Sequence, residues 1–415
     1  MATTDLPVST FEHHLDRLDL GRIAERELVV DAIRRLDARV RDLAGTGFVA
    51  TPFERHDVLA AAVGLAPGAE LWVKDETGNV SGSHKARHLF GVAVREALAP
   101  SGEGSWAIAS CGNAALGASV VAAAARHDLD VFVPEWADDA VVAAMTDLGA
   151  AVTRVARMEG ELGDPAYHAM VDAVTAGGTA FSCQGTDTPA AIDGGRTIAF
   201  EMVETLVTHD HPAPPRLDRL FVQVGGGALG TAVVTGLARS ELARLPVVHA
   251  VQPVGNHPLV VAWDTVAGEL LGQLPEPTIS GRLAAATEIG PVADGARRSL
   301  VQRMQADPER YMRPWPDEPA SYATGILDDV TYDWIPLVEA MLQTAGAPIV
   351  AGEDHLRAAH RLVHERTAIA VCPTGAAGLG GLMALHAAEP DQIAAGERVA
   401  VLFTGHQRAG DPTPG

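Results

Sequence analysis

The sequence predicts an α/β protein built on a mostly parallel sheet with helices on both faces. Two observations lead there. Short apolar runs alternate with apolar-periodic helical runs through most of the chain, and the apolar runs lack the polar alternation of a half-exposed sheet. Several of these runs also end in glycine-, serine- or threonine-containing turns, at the carboxyl ends where ligands bind in open α/β sheets.

The N-terminal stretch, Met1 to Gly45, is charged, with Leu, Ile and Val at helical spacing between Leu18 and Leu43, so it reads as one or two amphipathic helices. The alternation then begins. Leu71–Val73 is read as a strand and His84–Leu98 as a helix. Trp106–Ser110 is a strand, Ala114–Arg126 a helix, Val131–Pro134 a strand, Ala140–Leu148 a helix and Ala151–Val155 a strand. Pro165–Thr175 is a helix, Ala180–Cys183 a strand and Thr197–Leu206 a helix. Leu220–Val224 is a strand, Gly230–Leu242 a helix and Val247–Gln252 a strand. After Pro258 the pattern weakens. Pro275 to Pro336 is rich in Pro, Gly and Asp and reads as long connections with short helices, a kind of segment that tends to be functional. Helices at His355–Glu365 and Gly375–His386 and a buried strand at Val399–Phe403 close the chain. With no flexible linker in sight, a second domain is expected to be inserted or to share strands.

Composition narrows the function classes. The 415 residues are 47% hydrophobic and 20% charged, which suits a globular protein with a sizeable core. The formal net charge of −22 argues against nucleic acid and against an anionic membrane surface as partners. Met1 to Phe11 has neither a basic region nor an apolar core, so no signal peptide is expected, and no apolar run is long enough to cross a bilayer. Cys111, Cys183 and Cys372 are odd in number and far apart, which gives no disulfide framework and makes a reducing cytoplasm the expected compartment. His13-His14 and His209-Asp210-His211 lack a third ligand at sensible spacing, so no metal site is expected.

Four short stretches are candidates for chemistry. The chain has only two lysines, Lys74 and Lys85. A lysine can lose its proton and attack a carbonyl, which an arginine cannot. Lys85 follows Ser81-Gly82-Ser83-His84 and opens a helical run; the competing reading is a solvated lysine. Gly225-Gly226-Gly227-Ala228-Leu229-Gly230 links a strand to a helix, where backbone N–H groups can converge on a phosphate, or where glycine serves packing alone. It is not a Walker loop, since no Gly-Lys-Ser/Thr follows. Ser110-Cys111-Gly112-Asn113 suits a carboxylate or phenolic oxygen; alternatively Asn113 is an N-cap. Thr404 ends the last strand, where its hydroxyl can meet a ring nitrogen or cap a turn.

Taken together and in this order, these stretches resemble the fold-type II pyridoxal-phosphate enzymes, which include threonine and serine dehydratases, threonine synthase, cysteine synthase and the tryptophan synthase β chain. The similarity runs from about Thr51 to His406. The Lys85 stretch resembles the family's Ser-Phe-Lys, with His84 in the aromatic place, and Arg87 falls where dehydratases have the arginine of Lys-x-Arg. Ser110 to Asn113 is similar to the family's Ser-x-Gly-Asn substrate loop, Gly225 to Leu229 to its phosphate loop, and Thr404 to its ring-nitrogen partner. The resemblance implies two open, twisted, mostly parallel sheets flanked by helices, with a small domain inserted in a large one. The mobile small domain would be residues 106–183, and residues 1–105 and 184–415 would form the large one. It implies pyridoxal 5′-phosphate as cofactor, held in a Schiff base by Lys85, which also serves as catalytic base. Asn113, Gly225, Gly226, Gly227, Ala228, Leu229 and Thr404 would bind the cofactor. Ser110, Cys111, Gly112, Asn113 and Ala114 would bind a small amino-acid substrate. A homodimer is also implied.

The resemblance divides on the reaction. Asp193 to Glu201, and Leu220 to Val224 with the glycine loop, look most like threonine dehydratase. Thr404-Gly405-His406 with Asp411-Pro412, and Pro373 to Leu382, look more like threonine synthase. Ala114 replaces the histidine that many dehydratases carry after the loop asparagine. The short stretch after Thr404 leaves no expected room for a C-terminal regulatory domain. The expectation is a lyase that eliminates across Cα–Cβ of threonine or serine; threonine synthase or another β-replacement enzyme is the alternative, and a non-catalytic pyridoxal-phosphate binder a further one.

Overall fold

The computed structural model describes residues 7–158 and 164–414. Residues 1–6 of the stretch expected to lack a signal peptide, and 159–163 of the expected small domain, lie outside the described residues.

Strands occur at β1 (Phe53–Arg55), β2 (Glu70–Asp75), β3 (Trp106–Ala109), β4 (Leu129–Pro134), β5 (Ala151–Val155), β6 (Thr179–Ala180), β7 (Arg219–Gln223), β8 (Val247–Pro253), β9 (Ile349–Ala351) and β10 (Arg398–Phe403). They form two sheets. One has the order β5-β4-β3-β6 and is wholly parallel. The other has the order β1-β2-β10-β7-β8-β9 and is parallel except for the edge strand β1. The expectation of two mostly parallel sheets flanked by helices holds.

The chain forms two compact units, Met1–Thr51 with Gly78–Glu201 and Pro52–Thr77 with Met202–Gly415. The first contains the four-stranded sheet. Its helix α1 (Arg26–Ala44) buries Val29, Ala32, Ile33, Leu36 and Val40, the stripe the helical spacing predicts, and ends at left-handed Gly45. Phe11, Phe48 and Phe90 cluster beside it with ring centroids 4.4–5.4 Å apart. Next come α2 (Lys85–Leu98), α3 (Asn113–Ala125), the short α4 (Pro189–Gly195), and α5 (Thr197–Asp210), within which the division between the units falls. Helices α2 and α4 touch backbone to backbone: a Cβ on Gly91 would lie 2.5 Å from the Ala190 carbonyl oxygen, and one on Gly194 would lie 2.3 Å from that of Arg87.

The second unit holds the six-stranded sheet, with α6 (Ala228–Ala238) after β7 and α7 (Ala377–Ala388) before β10. Here the structure corrects the sequence reading. Pro275 to Pro336 is not mainly connection: Ile279–Ile289 and Asp294–Ala306 are helices of 11 and 13 residues. Each is pinned by few large apolar side chains, Leu283 in one and Leu300 and Met304 in the other, so the periodic signal is faint. Helices Pro258–Leu271 and Trp334–Thr344 and strand β9 also lie where the pattern had weakened.

One buried histidine in each unit makes the fold acid-sensitive. Burial, with Lys85 nearby, pushes His88 down to about 3, and burial pushes His249 down to about 3. Above 6.5, the ordinary histidine value, both the folded and the unfolded chain carry neutral imidazoles. As pH falls from 6.5 toward 3, the unfolded chain takes up protons the folded chain refuses, so stability falls. Each histidine contributes a loss of about 1.4 kcal/mol per pH unit. His56, His257 and His360 are lowered by burial and act in the same direction. Urea midpoints should therefore drop steadily from pH 6.5 to about pH 5; a flat profile would contradict the neutral burial of these rings.

Candidate active site

In the first unit, the approach to Lys85 is tightly shaped. The Asn79 side chain accepts from Val80 N at 2.8 Å and donates to the Ser83 carbonyl at 3.3 Å. Ser81, with φ 57°, and Gly82, with φ 70°, both lie in the left-handed region. For serine that conformation costs on the order of 1 kcal/mol and commonly marks a functional segment. The turn delivers Lys85 as the first residue of α2, half-buried, and among the described residues its Nζ has no hydrogen-bond or ion-pair partner.

Strand β3 ends at Ala109, and Ser110-Cys111-Gly112 leads directly into α3. The N-cap is Gly112, not Asn113, and no side chain caps this helix. Asn113 is instead the first helical residue, and its Oδ1 is buried without a hydrogen-bond partner. Ser83 Oγ is likewise buried and unpartnered. Helix α3 packs closely on the start of α2, because a Cβ on Gly117 would come 3.2 Å from the Ala86 backbone. The unit thus brings the Lys85 and Ser110–Ala114 segments together. Burial raises the Cys111 thiol, which suits a protonated side chain rather than a nucleophile.

Arg87 has a different place. It is fully buried and grips Glu201 through both terminal nitrogens, at 2.6 and 3.0 Å. It also donates to Thr197 Oγ1 and Thr51 Oγ1, and Glu201 accepts from Thr10 Oγ1 and Thr51 N. This charge cluster ties the N-terminal segment, α2 and α5 together. Asp193 does similar work, accepting from the backbone N–H groups of Asp19 and Leu20.

In the second unit, β7 ends at Gln223, and Val224 to Gly227 lead into α6. Gly227 is the N-cap at φ 97°, a conformation natural to glycine. The segment 326–333 crosses this turn so closely that side chains have no room. A Cβ on Gly225 would lie 2.3 Å from Asp328 Oδ2 and 2.9 Å from Ile326 Cα, and one on Gly227 would lie 3.0 Å from Thr331 Cγ2. The result is a turn without side chains of its own at the N-terminus of an 11-residue helix, a place that suits an anion, with the Asp328 carboxylate packed against Gly225 and Gly226. Thr404, buried at the end of β10, accepts from Gln223 Nε2 at 2.7 Å. The unit therefore joins the glycine turn and Thr404 through β7.

The other lysine is a surprise. Lys74 is fully buried on β2, 3.7 Å from an equally buried Glu76. Burial alone would have selected it over Lys85. Only the sequence around Lys85, and its unpartnered amine, separate the two.

The sequence profile of the pyridoxal-phosphate dependent enzymes matches residues 46–296, more than half of the chain. The chain belongs to that family. Its cofactor is pyridoxal 5′-phosphate, and its fold is type II. The L-serine dehydratase of Saccharomyces cerevisiae is 31% identical over 192 residues, which are 45% of this chain and 56% of the relative, so the chain spans little more than half of that protein. The threonine synthase of Mycobacterium tuberculosis is 27% identical over 382 residues, 89% of this chain and 87% of the synthase. Among solved structures, threonine deaminase isoform 2 of Solanum lycopersicum superposes with TM-score 0.63 at 18% identity, covering 93% and 92% of the two chains. Maize serine racemase superposes with TM-score 0.60 at 18% identity, covering 92% and 94%. At those identities the structural likeness speaks for the fold. In the first unit, buried orphan oxygens on Asn113 and Ser83 and an amine without a partner among the described residues suit such a cofactor; in the second, the glycine turn at a helix N-terminus suits a phosphate.

Proposed function

We propose that this enzyme is a lyase that eliminates across Cα–Cβ of a small amino acid such as threonine or serine, releasing ammonia. Lys85 would hold the cofactor through its ε-amine, and the same amine would be placed to take the α-proton as general base. Asn113 would meet the cofactor's phenolic oxygen with its side-chain amide. The N–H groups of Gly225, Gly226, Gly227, Ala228 and Leu229 bind its phosphate, and the Thr404 hydroxyl faces its ring nitrogen. Ser110, Cys111, Gly112, Asn113 and Ala114 bind the substrate carboxylate through N–H groups and the Ser110 hydroxyl. When bound, pyridoxal phosphate supplies the electron sink for the charge left at Cα. A neutral hydroxyl at Thr404 leaves the ring nitrogen largely unprotonated, which favours prompt loss of the β-substituent.

The observation that carries this reading is the unpartnered Lys85 amine at the start of α2, on which the Asn113 helix packs directly. The dehydratase match supports elimination, but the threonine synthase match runs along much more of the chain and supports a second reading, β-replacement. Product assays separate them: keto-acid release from threonine or serine indicates the lyase, and phosphate release from O-phosphohomoserine the synthase. Neither product, with bound cofactor, would indicate a binder without turnover. Residues 106–183 are proposed as the mobile small domain between the large-domain parts 1–105 and 184–415, and the working form as a cytoplasmic homodimer.

A further inference from the structure

Gln223 stands in an unexpected position. It is the last residue of β7, 3% exposed, among apolar neighbours at the ligand end of a parallel strand. Its Nε2 lies 2.7 Å from Thr404 Oγ1, 3.1 Å from the Gly375 carbonyl and 3.2 Å from the Leu402 carbonyl. The two backbone carbonyls can only accept, so the atom facing them must be the amide nitrogen. Two N–H bonds serve three acceptors, and the contact to Thr404 is the shortest. The amide oxygen is buried and has no hydrogen-bond partner. Gly378 at the start of α7 makes room for it: a Cβ there would come 2.9 Å from Gln223 Oε1. A buried amide with one end unsatisfied is a poor packing element, and a leucine or methionine would fill the space without an orphan oxygen. What glutamine adds is N–H bonding to two backbone carbonyls and, at the shortest distance, to the Thr404 oxygen.

That bond engages one of the two lone pairs of the threonine oxygen and so biases the sense of its hydroxyl. With a lone pair engaged by the amide, the hydroxyl is polarised toward donating its own proton, and the two bonds reinforce each other. We propose that Gln223 is a positioning residue that sets Thr404 as a hydrogen-bond donor toward the cofactor's ring nitrogen, keeping that nitrogen neutral. This rests on the role proposed above for Thr404 and explains why a hydroxyl there acts as donor rather than as acceptor from a protonated ring.

The test is the nitrogen-15 signal of ring-labelled pyridoxal phosphate bound to the full-length enzyme. In the wild type the signal should be that of a neutral, hydrogen-bonded nitrogen. Thr404→Ala should move it to the value of a nitrogen without this donor, and Thr404→Ser should restore it. Gln223→Met should move it most of the way toward the Thr404→Ala value while the cofactor stays bound. Gln223→Glu gives an independent reading should methionine unfold the protein. Protonated, the carboxyl donates to Thr404 as the amide does; ionised, it accepts from Thr404 and turns the proton away. The ring signal of Gln223→Glu should therefore titrate with pH, where the wild type's does not. If Thr404→Ala moves the signal and neither Gln223 variant does, Gln223 is a structural tie only and the proposal falls. If Thr404→Ala leaves the signal unmoved, the role of Thr404 itself is wrong, and this inference falls with it.

Discussion

Lys85→Ala is expected to lower kcat by about 10³-fold or more, since it removes both the attachment of the cofactor and the base at Cα. It should leave the fold nearly untouched. Lys85 is only partly buried and its amine has no partner among the described residues, so the change should stay within about 1 kcal/mol. Lys74 offers the contrast. Its removal takes a buried cation from the side of the buried Glu76 carboxylate, and the loss should appear as instability, on the order of 3 kcal/mol. Measuring turnover and urea midpoints for both variants assigns each lysine. Full turnover in Lys85→Ala would remove it from the chemistry.

Arg87→Met is expected to destabilise the protein by about 3–5 kcal/mol, because it leaves the Glu201 carboxylate buried without its bidentate partner. The double variant Arg87→Met with Glu201→Leu should recover much of that loss, since an apolar pair of similar volume replaces a desolvated ion pair. The hydroxyls of Thr10, Thr51 and Thr197 point into the same cluster and limit the recovery. Denaturant midpoints for the two single variants and the double variant give the coupling directly. A stable Arg87→Met would contradict the structural role of this ion pair.

How far the sequence could be read follows from where the contacts lie. Boundaries of β5 and the helix Pro165–Thr175 match their sequence signals residue for residue, because both are set by local apolar period and an Asp164-Pro165 helix start. The Lys85, Ser110–Asn113, Gly225–Leu229 and Thr404 stretches were visible for the same reason: each is a short turn with its own chemistry. The bidentate grip of Arg87 on Glu201 spans 114 residues, and the Gln223 contact to Thr404 spans 181, so no local pattern announces either. Gln223 reads in sequence as one polar residue in an apolar strand. The full burial of Lys74 beside Glu76 is set by the packing of the whole of β2, which sequence spacing does not reveal. The helices Ile279–Ile289 and Asp294–Ala306 were hidden by polar and proline-rich surroundings, since only a few buried side chains anchor them. Asn113 shows how structure sharpens a motif: read either as a cofactor contact or as a cap, it is the first helical residue, and its oxygen is buried without a hydrogen-bond partner.

The central claim is that Lys85 is the residue that holds pyridoxal phosphate. The most direct measurement is the absorption spectrum of the purified protein with added cofactor, taken before and after borohydride, followed by peptide mapping of the reduced product. The account predicts a visible band that disappears on reduction and a phosphopyridoxyl group on Lys85. No visible band, or a label found on Lys74 alone, would contradict it.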